Sequence, residues 1–197
     1  MLGLAAMAAM VAMAFVGASS ASANSETVVL CKSAELTCEN AFPNPTTIVG
    51  HAENPKLLSS IGTVECEKSL AELELLNTLS ALGVGHITAL KFEGNCHLGG
   101  TSCTVTVNPL GLISFVKTGA LTASATSTGG TEANVKCGFF INCTYGGEPS
   151  LEVHSSGEGA THMLANATKL TKSKGICPST SEWDADYLAL GTMYIES

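Results

Sequence analysis

Cys103-Thr104-Val105-Thr106-Val107 decides how the rest of the chain reads. Four β-branched residues in succession disfavour a helix, where each loses χ1 freedom against the preceding turn. In a strand they divide cleanly, with Thr104 and Thr106 on one face and Cys103, Val105 and Val107 on the other. Downstream, residues 112–117 and 120–127 read as a hairpin turned at Thr118-Gly119. Upstream, residues 61–67 alternate Ile61, Thr63 and Glu65 against Gly62, Val64 and Cys66, the pattern of a half-buried strand.

The same signal recurs along the chain. Strands are expected at 27–31, 46–52, 86–93, 133–140, 142–145, 151–154, 163–171, 182–190 and 192–196. Turn signals separate them at Gly99-Gly100, Gly129-Gly130, Gly146-Gly147 and Gly157-Glu158-Gly159. Residues 69–82 stay open: Leu70, Leu73, Leu76 and Leu79 or Leu82 fit a helix face, whereas Leu-Ala-Glu-Leu-Glu-Leu over 70–75 alternates like a strand. No internal repeat of fixed period stands out. The expected fold is all-β: one antiparallel β-sandwich of roughly ten or more short strands, braced by disulfides, with one short helix as the alternative near 69–82.

Residues 1–23 carry a different message. An apolar, Ala-rich run is followed by small residues ending in Ala21-Ser22-Ala23, the pattern of an export signal cleaved before Asn24, although no basic residue precedes the apolar run. The run is short of a membrane span, and no cysteine at the cleavage point invites a lipid anchor. The expectation is a secreted protein, with residues 24–197 as one domain. A chain of that length buries about 70% of its unfolded surface, so its core does not depend on cross-links.

Charge narrows the partners. The formal net charge is −8, and all nine basic residues are lysines. Without arginine the bidentate recognition of phosphate is missing, and no basic stripe suits a nucleic acid. The same whole-chain balance argues against anionic membranes once the leader is gone. The partner expected is an unidentified extracellular or cell-wall ligand.

Cys31, Cys38, Cys66, Cys96, Cys103, Cys137, Cys143 and Cys177 all follow the leader. An even number in an exported chain reads as a disulfide framework. Spacing favours the close pairs Cys31/Cys38, Cys96/Cys103 and Cys137/Cys143, leaving Cys66 for Cys177. The rival map joins Cys66 to Cys96 and Cys103 to Cys177. Zinc knuckles want closer spacing than any found here, and no C-x-x-C redox pair occurs.

Several strings resemble a known family. Leu30-Cys31-Lys32 with Cys38, Val64-x-Cys66, Phe92-x-Gly94-x-Cys96, Cys103-Thr-Val-Thr-Val107, Val135-x-Cys137-Gly-Phe-Phe-Ile-Asn-Cys143 and Cys177-Pro-Ser-Thr-x-x-Trp183 occur in this order. The chain is similar over its whole mature length to a multicopy family of small secreted proteins of high-GC Gram-positive bacteria. The resemblance implies export and β-architecture, and it brings no activity. The Leu-rich stretch at 70–82 departs from it.

Candidate chemistry is sparse. Glu152 and His154 share a strand face; with His162 from a neighbouring strand they suit a facial metal site. Asp184 and Asp186 share another face beside Trp183 and Tyr187, a pairing compatible with carbohydrate chemistry. The competing reading of both sets is polar residues on a solvated sheet, with Trp183 in the core. G-x-S-x-G, a P-loop and G-x-G-x-x-G are all absent, so no cofactor is indicated. Asn142-Cys-Thr and Asn166-Ala-Thr are formal glycosylation sequons. The function expected is a non-catalytic binding or structural module. A secreted hydrolase or metal-dependent enzyme using the His and carboxylate side chains is the alternative, and a small-ligand carrier sits between the two.

Overall fold

The computed structural model describes residues 29–32, 39–76, 83–119, 121–156, 160–190 and 194–196. The predicted leader and Cys38 lie outside them. Among the described residues every regular element is a strand.

Neighbouring segments join into long antiparallel staves. β1 (Val29–Cys31) stands apart and pairs with β16 (Tyr194–Glu196). β2 (Thr46–Glu53) continues through Asn54-Pro55 into β3 (Lys56–Ser59), and β4 (Gly62–Glu65) continues into β5 (Lys68–Leu76). The two runs pair along their lengths, Leu58 with Thr63 at one end and Thr46 with Leu75 at the other. β6 (Gly83–Glu93) runs on into β7 (Cys96–Leu98), and β8 (Thr101–Val107) into β9 (Leu112–Gly119). β10 (Thr122–Thr128) leads to β11 (Glu132–Cys137), and β12 (Ile141–Gly146) to β13 (Ser150–Ser156). The last two staves are single strands, β14 (Ala160–Lys174) and β15 (Thr180–Leu190).

Each stave pairs with the one before it. β15 then closes the sheet by pairing with both β2 and β3, so the sheet is a closed barrel. The all-β, antiparallel, disulfide-braced expectation holds. The two packed faces of the expected sandwich are opposite walls of one sheet. Closure removes the free edges on which open sheets aggregate. The turns at 60–61, 99–100, 138–140 and 175–179 gather at one end of the barrel, evenly spaced along the chain. That even spacing comes from staves of similar length, and no repeated side-chain pattern accompanies it.

The described part of the Leu-rich stretch is strand, not helix. Along β5 the burial alternates, with Ala71, Leu73 and Leu75 inside and Leu70, Glu72 and Glu74 only partly covered. A helix would place Leu70, Leu73 and Leu76 on one face. The ladder to β2 and β6 on either side overrides that weaker period. Residues 77–82 fall outside the description.

The core fills the barrel in two parts. One holds Ile48, Leu73, Leu75, Ile113, Phe115, Leu151, Val153, Met163 and Tyr187. The other, nearer the end with the four turns, holds Val64, Val135 and four cysteines, beside a small cluster of Cys143, Tyr145 and Leu170. Most apolar side chains point inward and the charged residues outward, with a few buried Ser and Thr such as Ser69, Thr161 and Ser181 among the inward set, the reverse of a barrel facing lipid along its wall. Tyr187 is fully buried and satisfied: Ser69 donates to the Lys91 carbonyl at 2.9 Å, so the Tyr187 hydroxyl donates to Ser69 Oγ at 2.8 Å.

The disulfides follow strand register, not sequence proximity. Glu65 faces His97, which sets Cys66 opposite Cys96 one step on; Cys96 faces Cys103, and Cys103 faces Cys137. Four buried cysteines thus form a row across four strands. Such a row pairs without remainder only as Cys66–Cys96 and Cys103–Cys137, and these are the bonds formed. The favoured Cys96/Cys103 bond would strand the two outer members. Cys137/Cys143 is also overturned, because Cys143 faces Val135 and its bond goes to Cys177, which corrects both Cys66/Cys177 and Cys103/Cys177. Only Cys66–Cys96 from the rival map survives. Cys31 is disulfide-bonded as well; Cys38, its expected partner, lies outside the described residues.

Candidate functional site

Four of the five singled-out residues with acid–base chemistry are brought close by the ladder. His154 of β13 lies directly opposite His162 of β14, and Glu152 and Asp186 flank Leu164 from either side. Because side chains alternate, all of them point out of the barrel. They resolve into two separate pairs. His162 Nδ1 lies 2.9 Å from Asp186 Oδ1, and His154 Nε2 lies 3.3 Å from Glu152 Oε2. All four side chains are solvent-exposed, from 37% for His162 to 73% for Glu152. Among the described residues no three His, Cys, Asp or Glu converge as metal ligands. The expected facial site of Glu152, His154 and His162 is therefore a row of two ion-pair-like contacts on an open wall.

Asp184 and Asp186 part company. Asp186 turns to His162, while Asp184 adds to the field around Lys56, whose Nζ sits 2.7 Å from Glu65 Oε1. The hydrogen bond and charge of that contact raise the Lys56 pKa and lower that of Glu65. Trp183 and Tyr187, the aromatics beside the two aspartates, face inward and meet edge to face at 5.8 Å. They build the core, so neither offers its face to a sugar beside the two aspartates. His51, His86 and His97 lie exposed on other strands. Asn142 of the first sequon accepts a hydrogen bond from Asn134 Nδ2 at 3.0 Å.

Among the described residues two small apolar cavities of about 50 Å³ each lie inside the barrel and share Leu90, Thr131, Pro149 and Trp183 in their walls. Trp183 Nε1 is buried there without a hydrogen-bond partner. Space of this size holds a few water-sized groups, well below the ~300 Å³ at which small-molecule pockets begin. Burial also raises the Tyr145 pKa on the same wall.

The strongest feature is one the sequence reading passed over. Phe139 and Phe140 are 100% and 97% exposed, and Ile176 is fully exposed at 105%. Residues 133–140 read as a single strand in sequence, but β11 stops at Cys137 and the ladder resumes at Ile141, which faces it. Gly138, Phe139 and Phe140 form the three-residue loop between. Gly138 takes φ +55°, a left-handed turn conformation that favours glycine, and its N–H bonds the Ser102 carbonyl. The signal available in sequence was Cys-Gly-Phe-Phe, a glycine just past the alternating Val135-Lys136-Cys137.

Ile176 is brought to the same place by the next hairpin. Gly175, at φ +96°, lies so near strand β12 that a Cβ there would overlap the Asn142 carbonyl oxygen. Cys177 is bonded to Cys143, and Lys172 Nζ donates to the Cys177 carbonyl at 3.2 Å. The loop is thereby held against β12, two residues from Phe140. Ile61, 49% exposed in the turn at 60–61, adds to the same end of the barrel. Comparison with protein-family models, curated proteins and solved structures returned no match.

Proposed function

We propose that the protein is an exported module that acts by binding, not by catalysis, and that it binds through the apolar end of its barrel. The carrying observation is the set of three fully exposed hydrophobic side chains, Phe139, Phe140 and Ile176, presented on turns held by a strand ladder and a disulfide. Fully exposed large apolar groups placed together mark a contact surface. Export is supported by the leader pattern and by disulfides, which persist in oxidising compartments.

The test is retention of the oxidised protein on cell envelopes of the organism that makes it. Phe139→Ser/Phe140→Ser is expected to lose most retention while keeping its fold. His162→Gln/Asp186→Asn is expected to keep both.

The His162–Asp186 contact favours a second reading, a hydrolase using that imidazole as a base. That reading requires a hydrolytic activity that disappears in His162→Gln and survives the loss of Phe139 and Phe140. Such a result would displace the binding proposal.

A further inference from the structure

The whole-chain charge hides a local reversal. Residues 94–131, 133–147 and 159–181 contain no Asp or Glu, although the chain as a whole stands at −8. These segments supply the turns at 99–100, 138–140 and 175–179 and the strands leading to them. The same segments carry Lys136, Lys172 and Lys174, all exposed. Lys136 precedes Cys137 and faces Asn142; Lys174 faces Thr144, and Lys172 faces Tyr145. All three therefore sit just behind the Phe139, Phe140 and Ile176 tips. Among the described residues none of them pairs with a carboxylate. On these strands and their neighbours the acidic groups stand back from the tips: Glu132 opens β11 at its far end, opposite Gly146, and half-buried Glu182 of β15 faces Lys169.

We infer that this end of the barrel docks on an anionic lipid bilayer, with Phe139, Phe140 and Ile176 entering the headgroup–acyl boundary and Lys136, Lys172 and Lys174 facing the anionic headgroups. The inference rests on the binding proposal above and names its partner. Three features choose a bilayer over a second copy of the chain. The apolar groups are convex tips, which insert into a soft surface and offer no groove to a rigid one. Cations lie directly behind them, which suits an interface negative at its surface and apolar beneath. The rest of this chain is acidic, so a second copy would meet the lysines through its carboxylates and not through its own apolar tips. The earlier expectation of no membrane contact followed from summed charge, and attraction to a surface depends on the charge within about a Debye length of it.

The experiment is vesicle co-sedimentation of the protein recovered oxidised from the medium of a secreting host. Phosphatidylglycerol-containing vesicles are compared with pure phosphatidylcholine vesicles. Variants share every other segment, so differences between them are read at the tip. Binding is expected to the anionic vesicles, to fall as salt rises, and to weaken more than tenfold in Phe139→Ser/Phe140→Ser. Lys136→Gln/Lys174→Gln, which leaves the Lys172 contact with the Cys177 carbonyl in place, is expected to weaken it about fivefold per lysine. Trp183 fluorescence verifies that each variant is folded. Equal binding to both vesicle types, or binding indifferent to either variant, overturns the inference. Absence of vesicle binding also overturns it while leaving the binding proposal standing if envelope retention still depends on Phe139 and Phe140. Dimerisation that vanishes in Phe139→Ser/Phe140→Ser, without vesicle binding, would assign the tip to a second copy.

Discussion

Tyr187 shows how one residue ties the core to pH. Its ring lies on the inner face of β15, and its hydroxyl has Ser69 Oγ as acceptor. Burial raises its pKa, and the Ser69 hydrogen bond only partly opposes this. In the unfolded chain a tyrosine ionises near 10. Above about pH 10 the unfolded state therefore loses a proton that the native state keeps, and stability falls as pH rises. Below that pH the contribution is fully present. Urea melts followed by Trp183 fluorescence should show this loss in the wild type and a clearly shallower one in Tyr187→Phe. Near neutrality the two members of the hydrogen bond are unequal. Tyr187→Phe leaves Ser69 bonded to the Lys91 carbonyl and is expected to cost about 1 kcal/mol. Ser69→Ala leaves a buried phenol without its acceptor and is expected to cost about 1–3 kcal/mol. The inward placement of Trp183 was foreseeable from the few aromatics in a β-rich chain. The partner of Tyr187 was not, because Ser69 lies far away in sequence and meets it only across the closed barrel.

At the scale of elements, strands whose faces differ were legible and joints between them were not. Cys103–Val107 and 112–117 carry their pattern in consecutive side chains, and β8 and β9 follow it closely. β3 and β7 went unseen because each is a short continuation of a longer stave beyond a break, at Asn54-Pro55 and Gly94-Asn95. Their pairing is imposed by neighbours, not by their own alternation. The disulfide map failed for the same reason: loop length ranks close pairs first, whereas bonding needs facing positions, which only register supplies. Non-reducing peptide mapping should recover Cys66–Cys96, Cys103–Cys137 and Cys143–Cys177. Their sequence separations are 30, 34 and 34 residues, so loop entropy assigns each a comparable stabilisation, about 3–4 kcal/mol. Removing both cysteines of one bond should therefore lower stability by similar amounts in all three cases. Only Cys143→Ala/Cys177→Ala should also reduce tip-dependent binding, because it frees the loop that presents Ile176. Equal loss of binding from all three double variants would mean that the tip responds to global stability and not to its own staple.

For the whole molecule, the question is whether the disulfides or the closure of the sheet makes the domain. β15 is the decisive stave, since it joins β14 on one side to β2 and β3 on the other. It also carries Trp183, Tyr187 and Ala189 into the core. Every cysteine precedes it in the chain. A chain ending at residue 179 thus keeps the full cysteine complement while losing closure. Two long edges would then be open, along β14 and along β2–β3, each with unpaired backbone groups. If cross-links were sufficient, this chain would stay monomeric. Closure predicts instead that it aggregates and shows no cooperative melt by circular dichroism. The sharper variant is Leu188→Pro, whose side chain is exposed, so that packing changes little. Leu188 faces His51 on one side and His162 on the other. In a barrel no strand is an edge, and proline there removes a ladder hydrogen bond with no solvent-facing alternative. The expected cost is about 3 kcal/mol or more, comparable to one disulfide, and it is measurable by urea denaturation of the oxidised protein. A Leu188→Pro protein as stable as the wild type would mean that β15 merely leans on β2 and that the sheet is functionally open.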